Sequence, residues 1–257
     1  MKLQIDINCD LGESYGEFRV GNDAKIMPHI TSANIACGFH AGDPMTMAQT
    51  VNLAKKNNVA IGAHPGYPDL LGFGRREIQL TLEEVKNYTI YQVSALQGFA
   101  RTAGAGLQHV KPHGALYNTA VKDEKISKAV VESVKALDGN LIIFAPPKSV
   151  LAKLTVDAGL RVAYEFFADR AYNADGSLVS RKQPNAVIQE KRKVVERVIK
   201  MVKEGIVLAF NGEIVNLGEV HTICVHGDTP TAVELAETLK KGLMKSGIEV
   251  KPVSGFL

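Results

Sequence analysis

Short apolar runs recur along the chain, each stopped by Gly or Pro, followed by polar residues and then by a helical repeat. The runs cover residues 3–8, 33–37, 59–63, 107–111, 141–145, 161–166 and 222–225. They have the length and apolar content of strands buried on both faces, as parallel sheets require. Between them the hydrophobic period changes to that of a helix. Met47, Val51 and Ala54 share one face, as do Ile126, Val130, Val134 and Leu137. Val187, Val194, Val198 and Val202 predict a long helix over 185–203. Helix starts are marked by Asp43-Pro44, by Thr81 with Glu84 three residues on, by Asp123, by Ser149 and by Thr229-Pro230. Asn211-Gly212, between runs at 206–210 and 214–217, predicts a hairpin.

Strand, polar cluster and helix thus alternate about seven times, which implies a parallel sheet. Chemistry-bearing residues follow almost every strand. In an open sheet only the strand ends beside the switch point should carry them, whereas in a barrel all strand ends meet at one mouth. The expected fold is α/β, an irregular seven-stranded (β/α) barrel forming one domain over residues 1–257.

The stretch AIGAHPGYPDLLGFGRR at 60–76 is the densest of these ends. Pro65 ends the strand at His64, and the loop beyond it carries Asp69, Arg75 and Arg76, suited to cover an anionic ligand. His40, His113 and His226 lie in the same position after other strands, whereas His29 and His221 do not. His109 lies inside a run and faces either the barrel interior or the helices. Asp10, Glu13, Asp43, Glu165, Asp169 and Asp228 add carboxylates, and Arg170 a guanidinium. This pool supports two chemistries: a divalent metal held by imidazole and carboxylate, or metal-free acid–base work by the same groups. Lys111, between a strand and Pro112, is either a desolvated amine of lowered pKa or a fixed charge for an anion.

The formal charge of +3 is too small to imply nucleic acid or an anionic membrane, and no apolar run approaches a membrane span. Cys9, Cys37 and Cys224 are far apart, with no Cys-x-x-Cys pair, which argues against a disulfide scaffold or a thiolate zinc site. The N-terminal residues are too polar for a secretory signal, so a reducing, cytoplasmic setting is expected. Neither a P-loop nor a G-x-G-x-x-G turn occurs.

Six blocks resemble the LamB/YcsF family: NCDLGES at 8–14, SANIACGFHAGDP at 32–44, GAHPGYPD at 62–69 with GFGRR at 72–76, VKPHGALYN at 110–118, ADRAY at 168–172 and VHGDTP at 225–230. Asn185 and Thr231 stand where the family pattern leads one to expect glycine. The resemblance implies a barrel like that of polysaccharide deacetylases and related glycoside hydrolases. It implies 5-oxoprolinase chemistry, the ATP-dependent opening of the lactam of 5-oxo-L-proline to L-glutamate, performed with partner subunits B and C. The expected catalytic set is Asp10, Glu13, His40, His64, Lys111 and His113. The expected substrate-binding set is Asp43, Asp69, Arg75, Arg76, Glu165, Asp169, Arg170, His226 and Asp228. His40, His64 and His113 are the candidate metal ligands. Cofactor expectations are ATP, at a site the sequence does not locate, and a divalent metal. A metal-dependent deacetylase or amidohydrolase, and a non-catalytic subunit that binds 5-oxoproline, are the competing readings.

Overall fold

The computed structural model describes residues 3–180, 183–225, 227 and 232–257. In chain order the elements are β1 (Gln4–Leu11), α1 (Asp23–Ile26), β2 (Ser32–Ala36), α2 (Pro44–Lys56), β3 (Ala60–His64), α3 (Leu82–Thr102) and β4 (Leu107–Val110). There follow α4 (Gly114–Ala120), α5 (Glu124–Leu137), β5 (Ile142–Ala145), α6 (Val150–Asp157), β6 (Arg161–Phe167) and α7 (Lys191–Glu204). The hairpin β7 (Ile206–Leu208) and β8 (Ile214–Asn216), then β9 (Thr222–Val225), α8 (Ala232–Lys245) and β10 (Glu249–Val250), complete the series.

Seven parallel strands, β1 to β6 and β9, pair in sequence order, and β9 returns to pair with β1. The sheet is therefore a closed ring, with β10 added beside the start of β1. Side chains alternate across each strand and divide the molecule into two environments. Ile5, Ile7, Cys9 and Leu11 of β1 join Ile35, Ala63, Val110, Ile143, Phe166 and Ile223 in one apolar layer. That layer meets Met47 and Val51 of α2, Leu96 of α3, Val130 of α5, Val198 of α7 and Leu239 of α8. Each such fully buried aliphatic side chain contributes about 1.5–3 kcal/mol, so this outer layer is the main apolar core.

The expected helix starts are present: Asp43, Thr81, Asp123 and Ser149 each accept a hydrogen bond from a first-turn N–H, and Thr81–Glu84 closes a capping box. Two expectations need correction. β1 runs on to Leu11, because Asp10 points into a polar interior and need not end the strand. The helix expected over 185–203 begins at Lys191. Asn185 has φ 61, in the left-handed region, which no helix start adopts but which Asn tolerates better than most residues. Residues before Lys191 instead pair with the end of the barrel, Val187 bridging to Arg170. Thr229-Pro230 and Thr231 lie outside the described residues. No helix among the described residues is long and apolar enough to cross a membrane.

Candidate active site

Alternate positions of the strands fill the barrel with polar groups. Asp6, Asn8, Ser32, Asn34, His64, His109, Lys111, Glu165 and Thr222 are all buried. They bond to one another across strands that are not neighbours, for example Lys111 after β4 to Asp10 of β1 and Glu165 of β6. Toward the other end, Ile142, Phe144 and Ala163 close the interior with Val253 from the C-terminal segment. The polar column runs from that floor to the mouth at the C-terminal strand ends.

At the mouth stand four buried residues, Glu13, His40, His64 and His113, whose ligand atoms lie within 4.8 Å of one another. His64, the last residue of β3, donates from Nδ1 to the carbonyl of Lys111 at 2.6 Å. His113, just before α4, donates from Nε2 to the carbonyl of Phe73 at 2.8 Å. A carbonyl can only accept, so these partners assign both ring protons. His64 Nε2 and His113 Nδ1 face each other at 3.0 Å, so they hold at most one proton between them. Glu13 Oε1 is 3.6 Å from His113 Nδ1 and 3.4 Å from His40 Nε2. Neither nitrogen of His40 makes a hydrogen bond to a described residue, and its ring stacks on His113 at 3.7 Å. Burial first, then the neighbouring His64, pushes His113 down to about 3. Burial and the two other histidines hold His40 well below the ordinary imidazole range.

The loop after β3 builds the lid of this cluster. Phe73 has φ 55, a strained value for an aromatic residue. In this conformation its carbonyl meets His113, while its ring edges both His113 and His40. Gly74 lets the chain pass: a Cβ there would lie 2.6 Å from the Cβ of His40.

Beside the histidines, Lys111 Nζ lies 2.9 Å from Asp10 Oδ1 and 2.9 Å from Glu165 Oε1. It also approaches Cys224 Sγ at 3.1 Å. Burial would lower this amine, but the carboxylates of Asp10 and Glu165 outweigh it and hold the ammonium well above its ordinary value. Lys111 is thus not an amine of lowered pKa, and its charge is shared by two carboxylates of the chain itself. Tyr117 donates to Glu165 at 2.6 Å. Asp10 Oδ1 also accepts from Asn34 at 2.8 Å, while Oδ2 faces His64 Nε2 at 3.4 Å. Asp10 thus links the ammonium to the histidine cluster. Burial pushes Cys9 and Cys224 up strongly and Cys37 up to about 12, so none of the three is a thiolate at neutral pH.

The LamB/YcsF family model matches residues 5–257. The chain belongs to the LamB/YcsF family. It is 54% identical to the A component of the 5-oxoprolinase of Pyrococcus abyssi over 255 residues, 99% of this chain and 100% of that one. The crystal structure of a lactam utilization protein from Thermus thermophilus is similar, with a TM-score of 0.92 and 44% identity over 96% of this chain and 99% of that one. The catalytic domain of a peptidoglycan N-acetylglucosamine deacetylase from Eubacterium rectale shares the fold, with a TM-score of 0.52 at 10% identity over 98% of this chain and 89% of that one.

In this LamB/YcsF chain the six expected catalytic residues meet at the mouth, and Glu165 joins them through Lys111. The rest of the expected binding set is dispersed. Asp43 is taken up as the cap of α2, accepting from the N–H groups of Thr46 and Gly16. Asp69 is paired with Arg76 within the lid loop. Arg75 lies over the ring of Phe73, 5.1 Å from its centroid, at the edge of the histidines. Asp169 and Arg170 anchor the segment before α7, through Ile188 to the Asp169 carbonyl and Arg170 to the Val179 carbonyl. His226 and Asp228 lie outside the described residues. Sequence reasoning passed over Asn8, Asn34, Tyr117 and Phe73 and left the direction of His109 open. The visible signal was the alternation Asp6, Asn8, Asp10 in an otherwise apolar strand, which marks a polar barrel interior.

Proposed function

We propose that this chain carries the ring-opening site of an ATP-dependent 5-oxoprolinase, hydrolysing the lactam of 5-oxo-L-proline to L-glutamate with partner subunits B and C. The observation that carries this reading is the Asp10–Lys111–Glu165 and histidine centre at the barrel mouth, in a chain 54% identical along its length to a protein named for that activity. Asp10 accepts a proton from water through Oδ2, its other oxygen being held by Asn34 and Lys111. The water oxygen bonds to the lactam carbon, the ring C–N bond breaks, and the proton passes to the departing nitrogen. Lys111 stays charged and offsets the carboxylates around it. Arg75, at the rim, suits the substrate's carboxylate. An amide is a poor electrophile, so phosphorylation of the lactam oxygen by ATP accounts for the coupling: water addition and C–N cleavage then leave an acyl phosphate, and a second water releases inorganic phosphate and the free carboxylate of glutamate. No familiar phosphate loop is present in the chain, which assigns the nucleotide to an unfamiliar site or to a partner.

The mouth also fits a divalent cation, because two imidazole lone pairs and the Glu13 carboxylate converge there beside His40. When bound, such a cation supplies Lewis-acid polarisation of a carbonyl and a more acidic water. That donor set favours a second reading, cation-assisted amide hydrolysis without ATP.

Reconstitution decides between them. The chain, subunits B and C, ATP and 5-oxoproline should release glutamate, and omission of ATP should stop it. No glutamate from the full mixture overturns the main reading. Cation-dependent release without ATP establishes the second. Asp10→Asn, His64→Ala and Lys111→Ala should each lower turnover by roughly 10²–10⁴-fold. Wild-type turnover in all three would make the chain a carrier.

A further inference from the structure

A one-way chain of hydrogen bonds runs from a backbone N–H of the exposed C-terminal segment, through half-buried Gln108 and the barrel interior, to Asp10. The N–H of Ser254 donates to Gln108 Oε1 at 3.1 Å. This fixes the amide of Gln108, whose Nε2 meets His109 Nδ1 at 3.1 Å and Ser32 Oγ at 3.1 Å. An amide nitrogen can only donate, so His109 Nδ1 is the acceptor and Nε2 carries the proton. His109 Nε2 then donates to Asn34 Oδ1 at 2.7 Å. Asn34 Nδ2 is left to donate to Asp10 Oδ1 at 2.8 Å and to Asn8 Oδ1 at 2.7 Å.

A second branch forces the same orientation. Thr222 uses its hydroxyl proton on Asp6. It must therefore accept from Asn8 Nδ2 at 2.7 Å, which turns Asn8 Oδ1 toward Asn34. Asn34 is oriented from both sides. The path has been given room: a Cβ on Gly62 would lie 2.0 Å from His109 Nε2, and His109 stacks on Phe144 at 4.0 Å. Each link polarises the next, so the final donor is stronger than an isolated amide.

We propose that Gln108, His109 and Asn34 are positioning residues that act through this relay on Asp10, fixing Oδ1 so that Oδ2 alone is presented to the reacting centre. The catalytic consequence rests on the hydrolytic reading above; the relay itself does not. The C-terminal segment at the barrel floor thereby contributes to chemistry at the mouth. Sequence alone gives no sign of this, because the four links come from β2, β4 and a turn after β10.

Nitrogen-15 NMR of the His109 ring tests the relay in the isolated chain. The neutral Nε2–H tautomer is expected, and any other resting state overturns the proposal whatever the reaction proves to be. Gln108→Glu keeps the acceptor for Ser254 but removes the donor to His109, so His109 should leave that tautomer. Asn34→Asp keeps the shape and replaces the last donor with an acceptor. In the reconstituted assembly both variants should lose kcat by roughly 10–100-fold, as supporting groups behind reacting ones do, with KM within about twofold. A shifted His109 signal with unchanged kcat in Gln108→Glu overturns the positioning role. Gln108→Met, which cannot charge the site, should show a smaller loss in the same direction; a larger one would also count against it. If the wild-type assembly releases no glutamate, the reaction assignment fails while the tautomer result still decides the relay.

Discussion

His64 Nε2 and His113 Nδ1 face each other at 3.0 Å, while the other nitrogen of each ring is committed to a carbonyl. Two ring nitrogens at that distance repel unless a proton or a metal cation lies between them. Chelator-treated protein titrated with Zn²⁺ or Co²⁺ should therefore bind one equivalent per chain. His64→Ala and His113→Ala should each weaken that binding by more than tenfold in calorimetry. At a cation concentration 100 times Kd the fold should gain about 2.7 kcal/mol. A wild-type chain that takes up no cation would leave a shared proton as the bridge and remove the second functional reading.

Acid should destabilise the fold. His113 and His40 are held below the ordinary value of 6.5, so below that pH the unfolded chain binds protons that the folded chain refuses. Their contribution is complete above pH 6.5 and falls by about 1.4 kcal/mol per pH unit per group on acidification. For His113 the window runs from 6.5 to about 3. Asp6 acts in the opposite sense: burial raises its carboxyl from 3.8 to about 6, so the folded chain takes up that proton first. His109 and His221 are also held low by burial, and Asp23 is raised by burial as Asp6 is, so four histidines against two carboxyls leave a net loss. Urea midpoints should be lower at pH 5 than at pH 7, and His113→Gln should flatten the slope by roughly one proton. A flat profile between these pH values would contradict the neutral assignments.

Lys111→Met leaves Asp10 and Glu165 without their shared ammonium. Removing one partner from a buried ionic group costs about 3–5 kcal/mol, measurable by denaturant unfolding. Lys111→Met combined with Glu165→Gln should recover part of the stability and none of the turnover. Recovery of glutamate release in the double variant would show that the ammonium serves the fold alone.

Asp43 offers a contrast, because its carboxylate caps α2. Asp43→Ala should cost about 0.5–2 kcal/mol of stability and leave KM for 5-oxoproline unchanged. A rise in KM without loss of stability would restore it to the binding set.

Much of the barrel was legible because strands, caps and breakers are local features. The run at 59–63, Pro65 and the Asp43 and Thr81 caps carry their own instructions in a few residues. The strand-end histidines were legible because a barrel converts a shared position after a strand into shared space. What failed depended on distant partners. Asp10 read as a strand end because its ammonium partner lies 101 residues away. Asn8 and Asn34 were passed over, since nothing nearby in sequence shows that their side chains meet inside the barrel. The start of α7 was placed too early because apolar spacing from Val187 onward looked helical, while the bridge from Val187 to Arg170 is a tertiary contact. α4 escaped because a helix of seven residues beginning at Gly114 has almost no period to read.

The pairing of β1 with β9 has a consequence for biosynthesis. Asn8 and Thr222 are bonded across 214 residues of chain, and Ser254 begins the relay to Asp10. On a ribosome that exposes the N-terminus first, β1 must wait with one side unpaired until β9, more than 200 residues further on, emerges. Pairings this distant close slowly. A nascent chain halted before β9 can hold all three mouth histidines, yet it lacks the strand that closes the ring and the segment that orients Asp10. The complete site should therefore form only once both β9 and Ser254 have emerged.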